Sequence, residues 1–334
     1  MKTTSFGIAN YCVPCHAHCR YCLLDACGQK TGVGFHRGAE FARRVLRELD
    51  EKRPDLSAFY YIGYCMDTPD LPEYIRFCRE HHSPTASFLQ MNGFAFREER
   101  ELQALMDGIR AAGVQLIDLT FYGTEAYHDR FAGRKGDFRF LLRMLAAANR
   151  AGLPVNLSVP LLRENLDQMP ELLRQLNGFQ AEKKLFFLPH SKGRGRSLLD
   201  QRITRQEFDR LPSEVRDAFS GIPHRTEAEW LASGDFPALA HRNLNLVLTP
   251  ENIDACEQRS ALEILASLEA LDDHYLAQMP SPEELAARYG RPGNQQLFRF
   301  RDLLLRWQQQ YLEETGNTLY DMHDETHSFS VHLS

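Results

Sequence analysis

The alternation of short strand-like runs with amphipathic helical stretches constrains the fold of this chain more than any other feature. Six apolar, β-branched or aromatic runs occur between Ser5 and Lys192, and the stretches between them carry apolar residues near a 3.6-residue spacing. This alternation is typical of repeated βα units around a parallel sheet. The predicted strands are 5–9, 58–63, 86–91, 115–122, 155–161 and 185–189.

Six βα units predict an α/β fold, a partial (βα)6 TIM-like barrel, rather than a closed barrel of eight units. The alternation ends near residue 205. Beyond it the sequence predicts one more strand at 244–249 and helices at 260–278, 282–289 and 295–314. We therefore expect a barrel domain over residues 1–205 and a mainly helical C-terminal region over 206–334, which caps the barrel and shapes the substrate site.

The unusual loops of the sequence all follow predicted strands. Parallel barrels carry their chemistry in the loops after the carboxyl ends of the strands, so these loops are expected to meet at one rim. They are a cysteine-rich loop after the first strand, Gly63–Asp67 after the second, Asn92-Gly93 after the third, residues 123–136 after the fourth and the basic segment 190–196 after the sixth.

Cys15, Cys19 and Cys22 lie close together in the first of these loops. Cluster irons normally take one cysteine each, so three cysteines serving a four-iron cluster leave one iron open to a small chelating ligand. The alternative is zinc, since Cys12-x-x-Cys15 and Cys19-x-x-Cys22 form two zinc-type pairs. Only three residues separate the pairs, whereas paired zinc motifs usually have about 15 to 20, which favours the cluster.

The order cysteine, three residues, cysteine, one residue, aromatic, cysteine resembles the signature of the radical S-adenosylmethionine (radical SAM) superfamily. Weaker motifs resemble its SPASM/twitch branch: Asn92-Gly93, the segment 119–125 followed by His128-Asp129, and the segment 192–196. The resemblance implies a [4Fe–4S] cluster held by Cys15, Cys19 and Cys22. There S-adenosylmethionine (SAM) is reductively cleaved to a 5′-deoxyadenosyl radical, which abstracts hydrogen from the substrate.

The resemblance also implies which residues contact SAM. Thr120 would contact the SAM carboxylate, and Tyr21 would lie against the adenine end. A guanidinium fork for the same carboxylate would come from Arg130, Arg134 or Arg194. His128 and Asp129 are expected to hold their loop rather than to donate protons.

The resemblance is incomplete after the second strand. The family usually has Gly-Gly-Glu there, whereas this chain has Gly63-Tyr64-Cys65. We expect Gly63 to keep its place in the cofactor site. Asp67 could bind the SAM ammonium instead of the missing glutamate; otherwise backbone carbonyls must do so. Cys65 is a candidate catalytic thiol that could donate hydrogen near the radical. The alternative is a buried cysteine that packs as a small hydrophobe.

The resemblance is also incomplete in the C-terminal region. SPASM and twitch enzymes carry extra cysteines there for auxiliary clusters, but after Cys78 this chain has only Cys256. One thiol cannot hold a four-iron cluster, so we expect a single cluster.

By the same resemblance the substrate is a peptide or peptide-like molecule, which points to peptide modification in natural-product biosynthesis, and a reducing partner such as flavodoxin or ferredoxin supplies the electron. A small-molecule metabolite is the alternative, because no extra module of about 80 residues for a leader peptide is evident. A non-catalytic protein that binds the cluster and SAM is a third interpretation.

Composition limits the partners and the location. The net charge of −6 comes without a basic face, which argues against nucleic acid. No apolar run approaches the roughly 20 residues that cross a bilayer, so no membrane partner is expected. The absence of a signal peptide, and eight cysteines in a chain too long for a disulfide scaffold, indicate the cytoplasm.

Overall fold

The computed structural model describes residues 1–10, 15–23, 32–61, 67–83, 86–237 and 241–319. Its strands are β1 (Thr3–Asn10), β2 (Ser57–Tyr60), β3 (Phe88–Gln90), β4 (Leu116–Thr120), β5 (Val155–Pro160), β6 (Lys183–Phe187), β7 (Arg225–Thr226), β8 (Arg242–Leu248) and β9 (Leu297–Phe298). Its helices are α1 (Phe35–Lys52), α2 (Leu71–Glu80), α3 (Glu99–Ala112), α4 (Glu125–Ala132), α5 (Asp137–Ala151), α6 (Met169–Leu176), α7 (Arg205–Asp209), α8 (Ser213–Asp217), α9 (Glu227–Ser233), α10 (Ile253–Glu257), α11 (Ala261–Gln278), α12 (Pro282–Tyr289) and α13 (Phe300–Thr315). Two 3-10 helices span Arg163–Gln168 and Gly193–Gln201.

The strands of the βα units are parallel throughout. They form one sheet in the order β2-β1-β8 and a second in the order β3-β4-β5-β6. Every predicted strand of the barrel occurs, and the predicted α/β fold with a helical C-terminal region is confirmed. The boundary at residue 205 stays a prediction.

One strand from beyond that boundary belongs to the barrel sheet. The predicted strand at 244–249 occurs as β8 and pairs in parallel with β1, where Gly7 lies opposite Asn245. A side chain at Gly7 would meet the amide of Asn245, because its Cβ would lie 2.5 Å from Asn245 Oδ1. The strand after the helical segments α7 to α9 therefore extends the sheet beside β1.

The two faces of the strands differ in chemistry. Phe6 and Ile8 on β1, and Ile117 and Leu119 on β4, are completely buried against the surrounding helices in the main hydrophobic core. Alternate residues of a strand point to opposite faces, so the other face of β4 carries Asp118. Burial of each large apolar side chain contributes about 1.5–3 kcal/mol, so the outer face holds the helices to the strands.

The C-terminal helices enclose a second core around Trp307, which is completely buried. The last helix begins at Phe300 rather than at the predicted residue 295. The reason is that Leu297 and Phe298 form β9, which pairs with β7 in antiparallel orientation. No helix among the described residues has the length and apolar character needed to cross a membrane.

Candidate active site

The cysteine loop is fixed by main-chain hydrogen bonds to the loops after three other strands. The His16 N–H donates to the Gly93 carbonyl at 2.8 Å, and the His18 N–H donates to the Ala132 carbonyl at 2.8 Å. The Arg194 N–H donates to the carbonyl of Cys22 at 2.9 Å. The loops after β1, β3, β4 and β6 therefore meet at one rim, as predicted. Residues 62–66 after β2 lie outside the described residues.

Two glycines allow the close approach of these loops. At Gly133, in the left-handed region at φ +63°, a Cβ would lie 2.8 Å from Cβ of His18. At Gly193, with φ +49°, a Cβ would lie 2.5 Å from the Cys22 carbonyl oxygen. Any larger residue at either position would push the cysteine loop away and would also strain its own backbone.

The three cysteine side chains are half-buried on this loop. Cys19 packs against a buried aromatic cluster formed by Tyr21, Tyr122, Tyr127 and Phe131. No group of three or more His, Cys, Asp or Glu side chains in the described parts of the chain converges on a single metal position. A [4Fe–4S] cluster binds each cysteine through a different iron, so three spaced thiolates on one rigid loop fit a cluster without such convergence.

Tyr122 is a buried neighbour of Cys19 that the sequence analysis missed. Tyr122 is only 4% exposed and belongs to the aromatic cluster against which Cys19 packs. Burial raises the pKa of Tyr122 well above its ordinary value, and the charge and hydrogen bonding of Cys19 add to that rise. Tyr122 therefore stays protonated and can donate a hydrogen bond to the thiolate.

Thr120 ends β4 and is held by the side-chain amide of Asn92. The Thr120 N–H donates to Asn92 Oδ1 at 2.7 Å, and Asn92 Nδ2 donates to the Thr120 carbonyl at 2.9 Å. Gln90 Nε2 lies 3.4 Å from the Thr120 hydroxyl. The Asn-Gly pair after β3 thus fixes the backbone of the residue expected to contact SAM.

Asp118 lies two residues before Thr120 on the same face of β4, 6% exposed. Its carboxylate accepts a hydrogen bond from Ser158 Oγ at 2.6 Å, and the Thr120 hydroxyl lies 3.5 Å from its other oxygen. Burial raises the pKa of Asp118 to about 6, against the opposing effect of these two hydroxyls. No ion pair of Asp118 occurs within the described ranges. The sequence offered a signal here, namely an acidic residue inside a predicted apolar strand.

His128 and Asp129 hold the loop after β4, as expected. His128 is completely buried; its Nδ1 accepts from the Tyr122 N–H at 3.1 Å, and its Nε2 lies 3.0 Å from Asp137 Oδ2. Because Nδ1 accepts, the proton is assigned to Nε2. Asp129 accepts from the N–H groups of Gly136 and Phe138 at 2.5 and 2.9 Å. The segment between is not a plain loop, since α4 forms there.

The three candidate arginines occupy different environments. Arg134 donates to the Phe94 carbonyl at 2.6 Å and to Asp137 at 2.8 Å, so its guanidinium braces the loop. Arg130 is exposed on α4 and lies over the Tyr127 ring. Arg194 is half-buried beside Cys22. Among the described contacts of the three, Arg194 is the one whose main chain bonds directly to the cysteine loop.

Asp67 lies beside the cysteine loop but is also bound to protein groups. Its carboxylate is paired with Arg97, accepts from the Ala95 N–H at 2.7 Å, and lies 3.5 Å from His16 Nε2. Its role toward SAM stays a prediction. The other candidates after β2, Gly63 and Cys65, lie outside the described residues.

Comparison with known proteins gives the class. The Radical SAM superfamily matches residues 10–176, which is half of the chain. This chain therefore belongs to the radical SAM superfamily. Membership in this superfamily implies a [4Fe–4S] cluster and SAM as cofactors.

Individual relatives are distant. The chain is 29% identical over 201 residues to an AdoMet-dependent heme synthase of Oleidesulfovibrio alaskensis, over 59% of this chain and 48% of the relative. It thus spans about half the length of that curated relative. The structure of SuiB from Streptococcus suis bound to precursor peptide SuiA gives a TM-score of 0.50 at 11% identity, over 74% of this chain and 58% of SuiB. The radical SAM enzyme HemN of Escherichia coli, a coproporphyrinogen III oxidase, gives a TM-score of 0.41 at 14% identity, over 62% and 50%.

Proposed function

We propose that Cys15, Cys19 and Cys22 hold the [4Fe–4S] cluster and that SAM binds at the iron they leave open. The observation that carries this proposal is the fixing of the cysteine loop to the loops after β3, β4 and β6 through main-chain hydrogen bonds. Because the loop is already held on three sides, little of the free energy of cluster binding is needed to order its three cysteines.

The residues around the loop suit the parts of SAM. Thr120, fixed by Asn92, offers a hydroxyl to the carboxylate, and Arg194 offers a guanidinium fork from the opposite loop. The Tyr21 ring provides an apolar surface for the adenine end. Asp67 provides an anion for the ammonium. With both cofactors bound, reductive cleavage of SAM supplies a 5′-deoxyadenosyl radical that takes hydrogen from the substrate.

Several further features belong to the same proposal. The chain holds one cluster, since Cys256 is the single cysteine after Cys78. Residues 1–205 form most of the radical SAM barrel, β8 extends its sheet beside β1, and the helices after residue 205 cap it. A flavodoxin or ferredoxin supplies the electron, and the reducing cytoplasm suits an oxygen-labile cluster. Cys65 is kept as a candidate hydrogen donor.

The proposed substrate is a peptide or peptide-like molecule. The inner face of the strands supports it, because Gln90, Asp118 and Ser158 offer donors and acceptors that match amide groups. The precursor peptide bound to SuiB is consistent with this class.

A small polar metabolite is the second candidate, because the same inner-face groups would bind its polar atoms. One relative is named as a heme synthase, so a similar sequence belongs to a protein whose substrate is not a peptide. An apolar macrocycle fits this polar face less well, since buried polar groups without partners are costly.

The test is anaerobic incubation of the reconstituted protein with dithionite and SAM, with 5′-deoxyadenosine measured by mass spectrometry. We expect release of 5′-deoxyadenosine by the wild type and none by Cys19→Ala. Cys256→Ala is the matched control, because Cys256 is a completely buried cysteine on α10, remote in sequence from the cysteine loop. It should retain both iron and activity.

Two outcomes would contradict the proposal. Equal activity of Cys19→Ala and wild type would exclude the assigned ligands. An intact cluster that never cleaves SAM, with peptides and metabolite extracts present, would support a protein that only binds the cluster and SAM.

A further inference from the structure

We propose that Asp302, on the C-terminal helix α13, is a positioning residue for the SAM site, acting through the segment 189–195 after β6. This inference rests on the proposed function, since it concerns the same cysteine loop. It adds a residue from outside the matched family region, and so assigns the C-terminal region a part in cofactor binding.

Asp302 is completely buried and bonds to the segment after β6. Its Oδ1 accepts from the Ser191 N–H at 2.8 Å. Its Oδ2 accepts from Arg299 Nε at 2.7 Å, and His190 Nδ1 lies 3.8 Å from the same oxygen. One carboxylate therefore holds the main chain of segment 189–195, the rim segment, to helix α13.

Arg202 forms an ion pair with the same carboxylate and a hydrogen bond to the rim segment. Its Nη2 lies 3.3 Å from Asp302 Oδ2, and its Nη1 donates to the Pro189 carbonyl at 2.5 Å. The guanidinium is 2% exposed and stacks 4.5 Å from the centre of the Phe298 ring. Asp302 thus fixes the rim segment twice, directly at Ser191 and through Arg202 at Pro189.

The rim segment in turn contacts the cysteine loop. The His190 N–H donates to the Tyr21 hydroxyl at 3.1 Å. Tyr21 lies between the cysteines Cys19 and Cys22 in the sequence. The Arg194 N–H donates to the Cys22 carbonyl at 2.9 Å. The backbone at Gly195 is so close that a Cβ would lie 3.0 Å from the Tyr21 ring. A displacement of 189–195 therefore moves the Tyr21 ring, the carbonyl of Cys22 and Arg194 together.

The charge of Asp302 is what the arrangement needs. An asparagine could still accept from the Ser191 N–H, but it would leave Arg202 and Arg299 buried or half-buried without their anion. The two arginines would then form other contacts, and the rim segment would lose part of its attachment to α13. Because the three cysteines are untouched, we expect the cluster to remain and the SAM site to loosen.

The chain offers a matched control in the same region. Glu227 is also completely buried and pairs with the buried Arg306, and it accepts from Trp307 Nε1 at 3.2 Å. None of its described partners lies in segment 189–195 or in the cysteine loop. Glu227→Gln therefore removes a comparable buried anion and loses stability in the same way, without acting on the rim.

The experiment titrates SAM into the reconstituted holoprotein with its cluster oxidised, so that SAM is not cleaved, and follows the change in the cluster's Mössbauer spectrum. Asp302→Asn should keep its iron content but bind SAM about tenfold more weakly, equivalent to about 1.4 kcal/mol. Glu227→Gln should bind SAM as the wild type does. Tyr21→Phe, which removes the hydroxyl that receives the His190 N–H, should weaken SAM binding in the same direction. The double variant Asp302→Asn/Tyr21→Phe should weaken SAM binding by less than the sum of the two single effects, because both changes break the same series of contacts between Asp302 and the cysteine loop.

The outcomes separate the two proposals. A wild type whose cluster spectrum ignores SAM overturns the proposed function itself. A normal wild-type response with unchanged SAM affinity in Asp302→Asn, or equal weakening in Glu227→Gln, overturns the positioning role alone. If Asp302→Asn does not fold, Tyr21→Phe decides, and unchanged SAM affinity in that variant counts against the path.

Discussion

Replacement of Asp118 by asparagine should stabilise the protein, and the gain should grow with pH. The carboxyl group has an ordinary pKa of 3.8 and a pKa of about 6 in the folded protein, because it is buried. The folded state therefore holds the proton more tightly than the unfolded chain does. Protonated Asp118 contributes stability below pH 3.8, and this contribution is lost as the pH rises toward 6.

The magnitude follows from the same two values. Each pKa unit corresponds to about 1.4 kcal/mol, so the ionised carboxylate costs about 3 kcal/mol at pH 8. An asparagine is close in shape and can keep the hydrogen bond from Ser158 Oγ while donating to the Thr120 hydroxyl. The free energy of unfolding of Asp118→Asn, relative to that of the wild type, should therefore increase by about 1.4 kcal/mol between pH 5 and pH 8.

The assay is anaerobic urea unfolding of both holoproteins from pH 5 to pH 8, with the difference between them taken at each pH. Asp137→Asn is the control of opposite sign. Hydrogen bonding to His128 and the charge of Arg134 lower the pKa of Asp137 in spite of its burial. Its stabilising effect is present above its ordinary pKa, so Asp137→Asn should lose stability throughout this range. A difference between Asp118→Asn and wild type that does not change with pH would refute the reasoning.

Two further variants test the rim. Gly193→Ala places a Cβ 2.5 Å from the Cys22 carbonyl oxygen at φ +49°, which costs about 1–2 kcal/mol for the backbone alone. Chemical analysis should show that Gly193→Ala loses iron and labile sulfide. The control Gly178→Ala, where a Cβ has open space around it, should keep both. Full iron content in Gly193→Ala would contradict the contact. Tyr122→Phe removes a hydrogen-bond donor near Cys19. A hydrogen bond to a cluster thiolate stabilises the more negative, reduced cluster, so an EPR redox titration should show a lower cluster potential in the variant. An unchanged potential would show that the hydroxyl does not donate to the sulfur.

The pattern of strands was readable from the sequence because each strand has its own local signature. The alternation of apolar runs predicts the strands of the βα units, but not which distant strand joins them. β8 pairs with β1 across more than two hundred residues of sequence, and a local pattern carries no information about such a partner. The start of α13 is similar, because the pairing of Leu297 and Phe298 in β9 overrides the helical spacing that continues through them.

The site divides in the same way. The loops at the rim could be predicted, since each follows its own strand in the sequence. The roles of His128 and Asp129 in holding one loop were also predictable, because their partners lie within ten residues. Asp302 could not be found from the sequence, since it belongs to no motif and its partner Ser191, in the basic segment 190–196, is 111 residues away.

The residues on the two faces of β4 make opposite contributions to stability. Ile117 and Leu119 on the outer face follow the rules of packing and stabilise the fold, whereas Asp118 on the inner face breaks them at a cost of about 3 kcal/mol at neutral to alkaline pH. Natural sequences replace such residues readily by neutral ones unless function retains them. A carboxylate with no cation to balance it in the described part of the chain, next to the hydroxyl expected to touch SAM, is suited to bind an N–H or cationic group of the substrate. Substrates that carry such a group should therefore lose affinity in Asp118→Asn even though the protein becomes more stable, and a structural role for Asp118 cannot produce that combination.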